Sequence, residues 1–199
     1  MKSFIAASLL FLSALPFVAV AQDGAGHPEG SDMEAMMKLW EQVSTPGEQH
    51  ARLNDLVGSW TAKSTMWMDP EHPMESTGAA EVRWVLGKRF LQQEFSGEMM
   101  GKPLNGIGYT GYDIYNKKYV SFWIDNSSTA MFTSEGSFDQ TGKVLSMYGT
   151  MDEWMTGERD KNVKYVTRIQ GKDSFVFEVY DLSIGENAKA VQIEYVRKK

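Results

Sequence analysis

Residues 104–125 read Leu-Asn-Gly-Ile-Gly-Tyr-Thr-Gly-Tyr-Asp-Ile-Tyr-Asn-Lys-Lys-Tyr-Val-Ser-Phe-Trp-Ile-Asp. Two runs rich in Tyr, Phe, Trp, Ile and Val, 104–113 and 118–125, have strand composition, and Asn116-Lys117 between them tolerates positive φ, so the stretch reads as a hairpin. From Gly58 to the C-terminus the apolar period stays near two and turn signals recur about every ten residues. This pattern predicts ten strands, at 58–68, 77–86, 89–98, 104–113, 118–125, 129–137, 143–152, 161–169, 174–182 and 189–197. The connections are short, as at Leu86-Gly87-Lys88, Asp139-Gln140-Thr141-Gly142, Gln170-Gly171-Lys172-Asp173 and Gly185-Glu186-Asn187, so sequential strands must pair. One open sheet of that size would leave two unpaired edges, and closure removes both. The expected fold is therefore all-β, an antiparallel meander closed as a roughly ten-stranded barrel, with a two-sheet sandwich as the alternative that the same hairpins allow.

Upstream the period is helical. Met33, Met36, Met37, Trp40 and Val43 form one apolar stripe, with Ser31 and Glu34 at capping-box spacing. Thr45, Pro46 and Glu48 mark a second helix start, with Thr45 as N-cap and Leu53, Leu56 and Val57 on the buried side. Residues 22–30 are Gly, Pro and acidic residues with little that is apolar. Before them, Lys2 and an apolar run from Phe4 to Val20 end in Ala19-Val20-Ala21, the pattern of a secretory signal cleaved before Gln22. The expected organisation is a signal peptide over 1–21, a flexible leader over 22–31, N-terminal helices over 32–57 and a barrel domain over 58–199, in a periplasmic or secreted protein without a membrane span in the mature chain.

Composition narrows the chemistry. The chain has 199 residues, no Cys, and 20 Lys+Arg against 26 Asp+Glu for a net charge of -6. Without thiols there is no disulfide framework, Cys-based zinc site, iron–sulfur cluster or cysteine nucleophile. Nucleic acid is an unsuitable partner for an acidic chain whose one basic run is Arg197-Lys198-Lys199.

Asp55-Leu56-Val57-Gly58-Ser59-Trp60 resembles the Gly-x-Trp opening of the lipocalin and fatty-acid-binding superfamily. The longer run is more specific. Arg83-Trp84-Val85-Leu86-Gly87-Lys88-Arg89-Phe90-Leu91, then Gly106-Ile107-Gly108-Tyr109-Thr110-Gly111-Tyr112-Asp113, then Lys118-Tyr119-Val120-Ser121-Phe122-Trp123-Ile124-Asp125, are similar to the mostly bacterial family called domain of unknown function 1579, over about residues 45–198. That resemblance implies a lipocalin-like, fatty-acid-binding-like barrel with no established reaction or cofactor. The superfamily likeness further implies that Trp60 plugs one end of the barrel beneath an Arg of the last strand, for which Arg197 stands at the matching place.

Gly106-x-Gly108-x-x-Gly111 matches a dinucleotide fingerprint in letters, but that loop must lead into a helix, and here Tyr112 and Tyr115 lead into another strand. These glycines are expected to let a strand bend or a bulky side chain cross the backbone. The three histidines, His27, His50 and His72, all precede Glu75, and no Gly-x-Ser-x-Gly elbow accompanies them, which leaves a Ser-His-Asp triad without support. Nitrobindins, related barrels, hold haem through a late-strand histidine, and this chain has none there. Three carboxylate pairs, Asp152 with Glu153, Glu158 with Asp160 and Asp113 with Asp125, are expected to organise turns or face solvent. Twelve methionines follow Met1, but not at the repeated short spacing of a copper(I) site, so they are expected to fill the core or line an adaptable apolar pocket.

With Trp60 inward, alternation places Met66 on the lumen face of the first strand, and assumed registers for the other strands put Trp84, Trp123, Phe132, Met147 and Phe177 there too. Barrels of this strand number are either filled by side chains or enclose one small ligand. The sequence thus supports binding of a small apolar or aromatic molecule, with no catalytic residue, metal or cofactor expected. The alternatives are an enzyme using lumen carboxylates and a partner-binding protein with no pocket.

Overall fold

The computed structural model describes residues 30–68 and 71–199. The segment assigned to the export signal and His27 lie outside the described residues. The chain clusters into one unit ending at Lys38 and another, Leu39–Lys199, that holds the barrel. Helix α1 spans Gly30–Ser44, so the last two residues assigned to the flexible leader are already helical. Its Met33, Met36 and Met37 are exposed. Helix α2 covers only Glu48–Ala51, and its N-cap is Gly47 in place of the expected Thr45. The Thr45 hydroxyl instead donates to the Glu41 carbonyl at 2.7 Å, finishing α1, while the Gly47 N–H is taken by His50 Nδ1 at 3.2 Å. A three-residue 3-10 turn, Asn54–Leu56, then feeds the first strand.

All ten predicted strands form: β1 Gly58–Met66, β2 Met74–Val85, β3 Phe90–Met99, β4 Lys102–Asp113, β5 Lys118–Asp125, β6 Phe132–Phe138, β7 Val144–Glu153, β8 Glu158–Ile169, β9 Ser174–Asp181 and β10 Lys189–Arg197. Every neighbouring pair is antiparallel, and β10 returns to β1 with Trp60 opposite Arg197 and Met66 opposite Val191, so the sheet is a closed barrel. The turns adopt left-handed backbone, at Gly87 without a Cβ penalty and at Leu86, Lys88 and Lys117 despite one. Leu86, Gly87 and Lys88 take φ of 50°, 65° and 65°, and Lys117 takes 55°.

The glycines of the dinucleotide-like motif explain themselves in β4. A Cβ on Gly106 would lie 2.1 Å from the Trp123 ring, and one on Gly108 would lie 2.8 Å from it. Bare backbone at these two positions lets the indole of β5 lie flat across β4.

The residues before β1 close one end of the barrel. Leu53 and Trp60 are fully buried there, packed in one core with Ala80, Val82 and Leu91. Tyr119 reaches the same end, and its hydroxyl donates to the Gln49 carbonyl at 2.8 Å. Burial pushes the Tyr119 phenol up to about 12, so it remains a neutral donor.

Candidate functional site

A cavity of about 730 Å³ occupies the barrel between this plug and the opposite rim. Of the lumen residues expected from alternation, Met66, Trp123, Phe132, Met147 and Phe177 line it. Trp84 does not. Its indole N–H donates to Asn54 Oδ1 at 2.9 Å, beside the plug. The reason is stagger: β1 begins at Gly58 opposite Val82, so Trp84 lies beyond the start of β1 and flanks the segment that enters it.

Trp60 and Arg197 close the plugged end together. The guanidinium sits 4.1 Å from the indole centroid, and Phe175 packs edge-on at 4.8 Å. The Trp60 N–H donates to the Leu56 carbonyl at 3.0 Å. Arg197 donates to the carbonyls of Lys172, Val57 and Asp55 at 2.7, 2.8 and 3.2 Å, tying the last strand to the segment before β1.

The deep wall is apolar with uncharged polar groups. Gln93 Nε2 donates to the Tyr195 hydroxyl at 3.2 Å. Tyr195 stacks on Phe175 at 4.3 Å and Tyr165 on Phe177 at 6.2 Å. Burial raises both tyrosine pKa values, so both phenols stay neutral. Gln93 follows inward-facing Leu91 by two residues, which is a signal visible in the sequence once one register is known.

The mouth is different. Met74, Met99, Met100 and Met151 join Met66 there, with Glu75, Glu98 and Asp125 among them. Asp125 corrects the sequence reading that joined it to Asp113 across one hairpin turn. Asp113 faces Lys118 and accepts from the Asn116 backbone and side chain at 2.9 and 2.7 Å, whereas Asp125 faces Gly106 at the far end of the same strand pair. Asp125 Oδ2 accepts the Trp123 indole N–H at 2.7 Å, and Oδ1 accepts the Ser127 N–H and hydroxyl at 2.9 and 2.5 Å. All five hairpins on this side expose an apolar side chain: Met68, Met100, Met131, Trp154 and Ile184. The other carboxylate pairs serve turns, with Asp152 accepting the Asp160 N–H at 3.0 Å and Glu158 the Thr156 hydroxyl at 2.9 Å.

Besides the tyrosines, two ionisable side chains are buried among the described residues, His50 and Glu178, and neither lines the cavity. Burial and the nearby Arg89 charge hold the His50 pKa below its ordinary value, against the Tyr112 backbone, which raises it. Neutral Nδ1 is what the Gly47 N–H requires. Glu178 accepts from Arg168 Nε at 2.8 Å and is also bound by Lys189. A second depression, on the outer wall over Phe90, Tyr109, Phe122 and Tyr148, lies open to solvent and encloses nothing.

The chain belongs to the family described as "Protein of unknown function (DUF1579)", whose model matches residues 45–197. Solved structures show the same fold at low identity. Rv2717c from M. tuberculosis is 18% identical with a TM-score of 0.58, covering 78% of this chain and 100% of that one. The S-type phycobiliprotein lyase CPES from Guillardia theta is 10% identical with a TM-score of 0.50, covering 77% of this chain and 99% of that one. No curated protein matches the chain.

Proposed function

We propose that this DUF1579-family barrel is an exported binding protein that holds one small apolar or aromatic molecule in its lumen. The observation that carries the reading is the cavity of about 730 Å³, walled by aromatic and methionine side chains and reaching the rim. Its size falls within the 300–1,000 Å³ typical of small-molecule sites. Burying the apolar body of such a guest contributes about 25 cal/mol per Å² removed from water. The flexible thioethers at the mouth let one opening admit guests of different outline. Export follows from the charged start, apolar run and Ala-x-Ala ending of residues 1–21.

Trp123 supplies the test, because it is the tryptophan that lines the cavity among the described residues. Titrating a neutral apolar fluorophore such as N-phenyl-1-naphthylamine should quench part of the tryptophan emission saturably at one probe per chain. Trp123→Phe should lower that quenching by the share of Trp123, the other tryptophans still transferring energy to the probe, while probe fluorescence still reports binding. Absence of any saturable signal would sink the reading. Mass spectrometry of protein from its native source should find Gln22 at the N-terminus, and an intact Met1 would end the reading of a cleaved signal.

A further inference from the structure

The cavity is electrically one-sided. No Lys, Arg or His lines it among the described residues, while three carboxylates do. Glu75 is exposed and ion-paired to Lys63 at 2.8 Å, which offsets its charge. Glu98 stands exposed at the rim. Asp125 is half-buried on the inward face of β5, next to Trp123. Its donors, the Trp123 indole and the Ser127 backbone and hydroxyl, are all neutral, and it forms no ion pair among the described residues. Lys161 pairs with Asp181 at 2.6 Å and Glu158 at 3.3 Å, Lys102 opens β4 without lining the cavity, and Lys198, which shares an outer-wall depression with Asp125, stands 3.9 Å from Glu81 and does not line the cavity either.

Resting on the reading that the lumen holds a ligand, we propose that the cavity selects by charge. It takes amphiphiles whose positively charged head meets Asp125 at the mouth, in preference to those carrying an anionic head on the same tail. The tail occupies the deep wall, where Gln93, Tyr165 and Tyr195 are polar but uncharged. A cation beside Asp125 gains attraction that a half-buried site screens less than bulk water does. Either charged head gives up part of its hydration shell to enter, but the ammonium is compensated by Asp125 while a carboxylate would meet Asp125 and Glu98 with no cation to balance it. A neutral head incurs neither effect and falls between the two.

The experiment displaces N-phenyl-1-naphthylamine from the full chain with decylammonium, decanol and decanoate, all below their aggregation concentrations. Decylammonium should displace the probe at a concentration about tenfold lower than decanoate, a difference of about 1.4 kcal/mol. Asp125→Asn removes the charge and keeps one acceptor oxygen, which can serve Ser127 while the amide turns a donor toward the Trp123 N–H, so it should cut that gap several-fold, with decanol displacement measured on the same variant to separate any disturbance of Trp123 from the loss of charge. On the unmodified protein, about 0.5 M salt should narrow the gap as well, because a mouth open to solvent is screened. Decanoate binding as well as decylammonium, or a gap indifferent to both Asp125→Asn and salt, would overturn the proposal while leaving the cavity reading intact. A probe that does not bind at all overturns the cavity reading and this one with it.

Discussion

Cutting Trp60 to Ala tests how the barrel is closed. The side chain is fully buried, so its removal opens a large void at the plug, and such truncations cost about 3 to 5 kcal/mol. Arg197→Ala loses the cation–π contact, about 0.5 to 2 kcal/mol, and three charge-assisted hydrogen bonds that water only partly replaces at a quarter-exposed side chain. We expect about 2 to 4 kcal/mol for that variant. The effect is larger than the ring contact alone would give, because Arg197 also fastens Val57 and Asp55 to the last strand. The indole–guanidinium contact disappears in either variant, so the double mutant should fall short of the sum by about 0.5 to 2 kcal/mol. Urea unfolding followed by far-ultraviolet circular dichroism measures all four proteins without relying on tryptophan emission. Trp60→Phe, which keeps a ring beneath the guanidinium, should retain part of the coupling and serves if the Ala variant does not fold. Effects additive within about 0.3 to 0.5 kcal/mol would refute the claim that this pair closes the barrel as a unit.

Gly106→Ala places a methyl 2.1 Å from the Trp123 ring and should cost about 1 to 3 kcal/mol through overpacking, with a changed near-ultraviolet dichroism signal. In a Trp123→Ala background the same substitution should be nearly neutral, and an equal penalty in both backgrounds would show that the indole is not what Gly106 accommodates. At Glu178, burial pushes the carboxyl pKa up, but the hydrogen bonds and charges of Lys189 and Arg168 outweigh it and hold the group below its ordinary value of 4.5. A depressed carboxylate contributes stability in full above its unfolded pKa and loses it as pH falls through the folded one. The margin of the unmodified protein over Glu178→Gln should therefore be widest near neutrality and shrink on acidification below 4.5, read as urea midpoints. A margin unchanged by acid would mean the ion cluster contributes nothing.

The strands were legible because alternation is local. Covalent geometry points successive side chains to opposite faces, so a period of two marks a strand wherever it occurs, and all ten were placed with each boundary within three residues. The glycine-bearing turns carried their own φ preference, and Tyr112 and Tyr115, leading into another strand, already spoke against a phosphate loop that must open a helix. The lumen face of β1 followed from parity once Trp60 was taken as inward, whereas those of β5, β6, β7 and β9 rested on assumed registers, which match the side chains lining the cavity. Closure was not legible in this way, since pairing Trp60 with Arg197 joins residues at opposite ends of the domain and no local period encodes it. Stagger was hidden as well, and it carries Trp84 beside the plug; Asp125 is parted from Asp113 because β5 runs its whole length away from their shared turn. The cavity belongs wholly to the tertiary structure: a void is what remains after the inward side chains of ten strands are summed across the barrel. Parity says which side chains enter that sum, but only the closed geometry decides that they leave about 730 Å³ unfilled, with neutral phenols deep inside and carboxylates at the mouth.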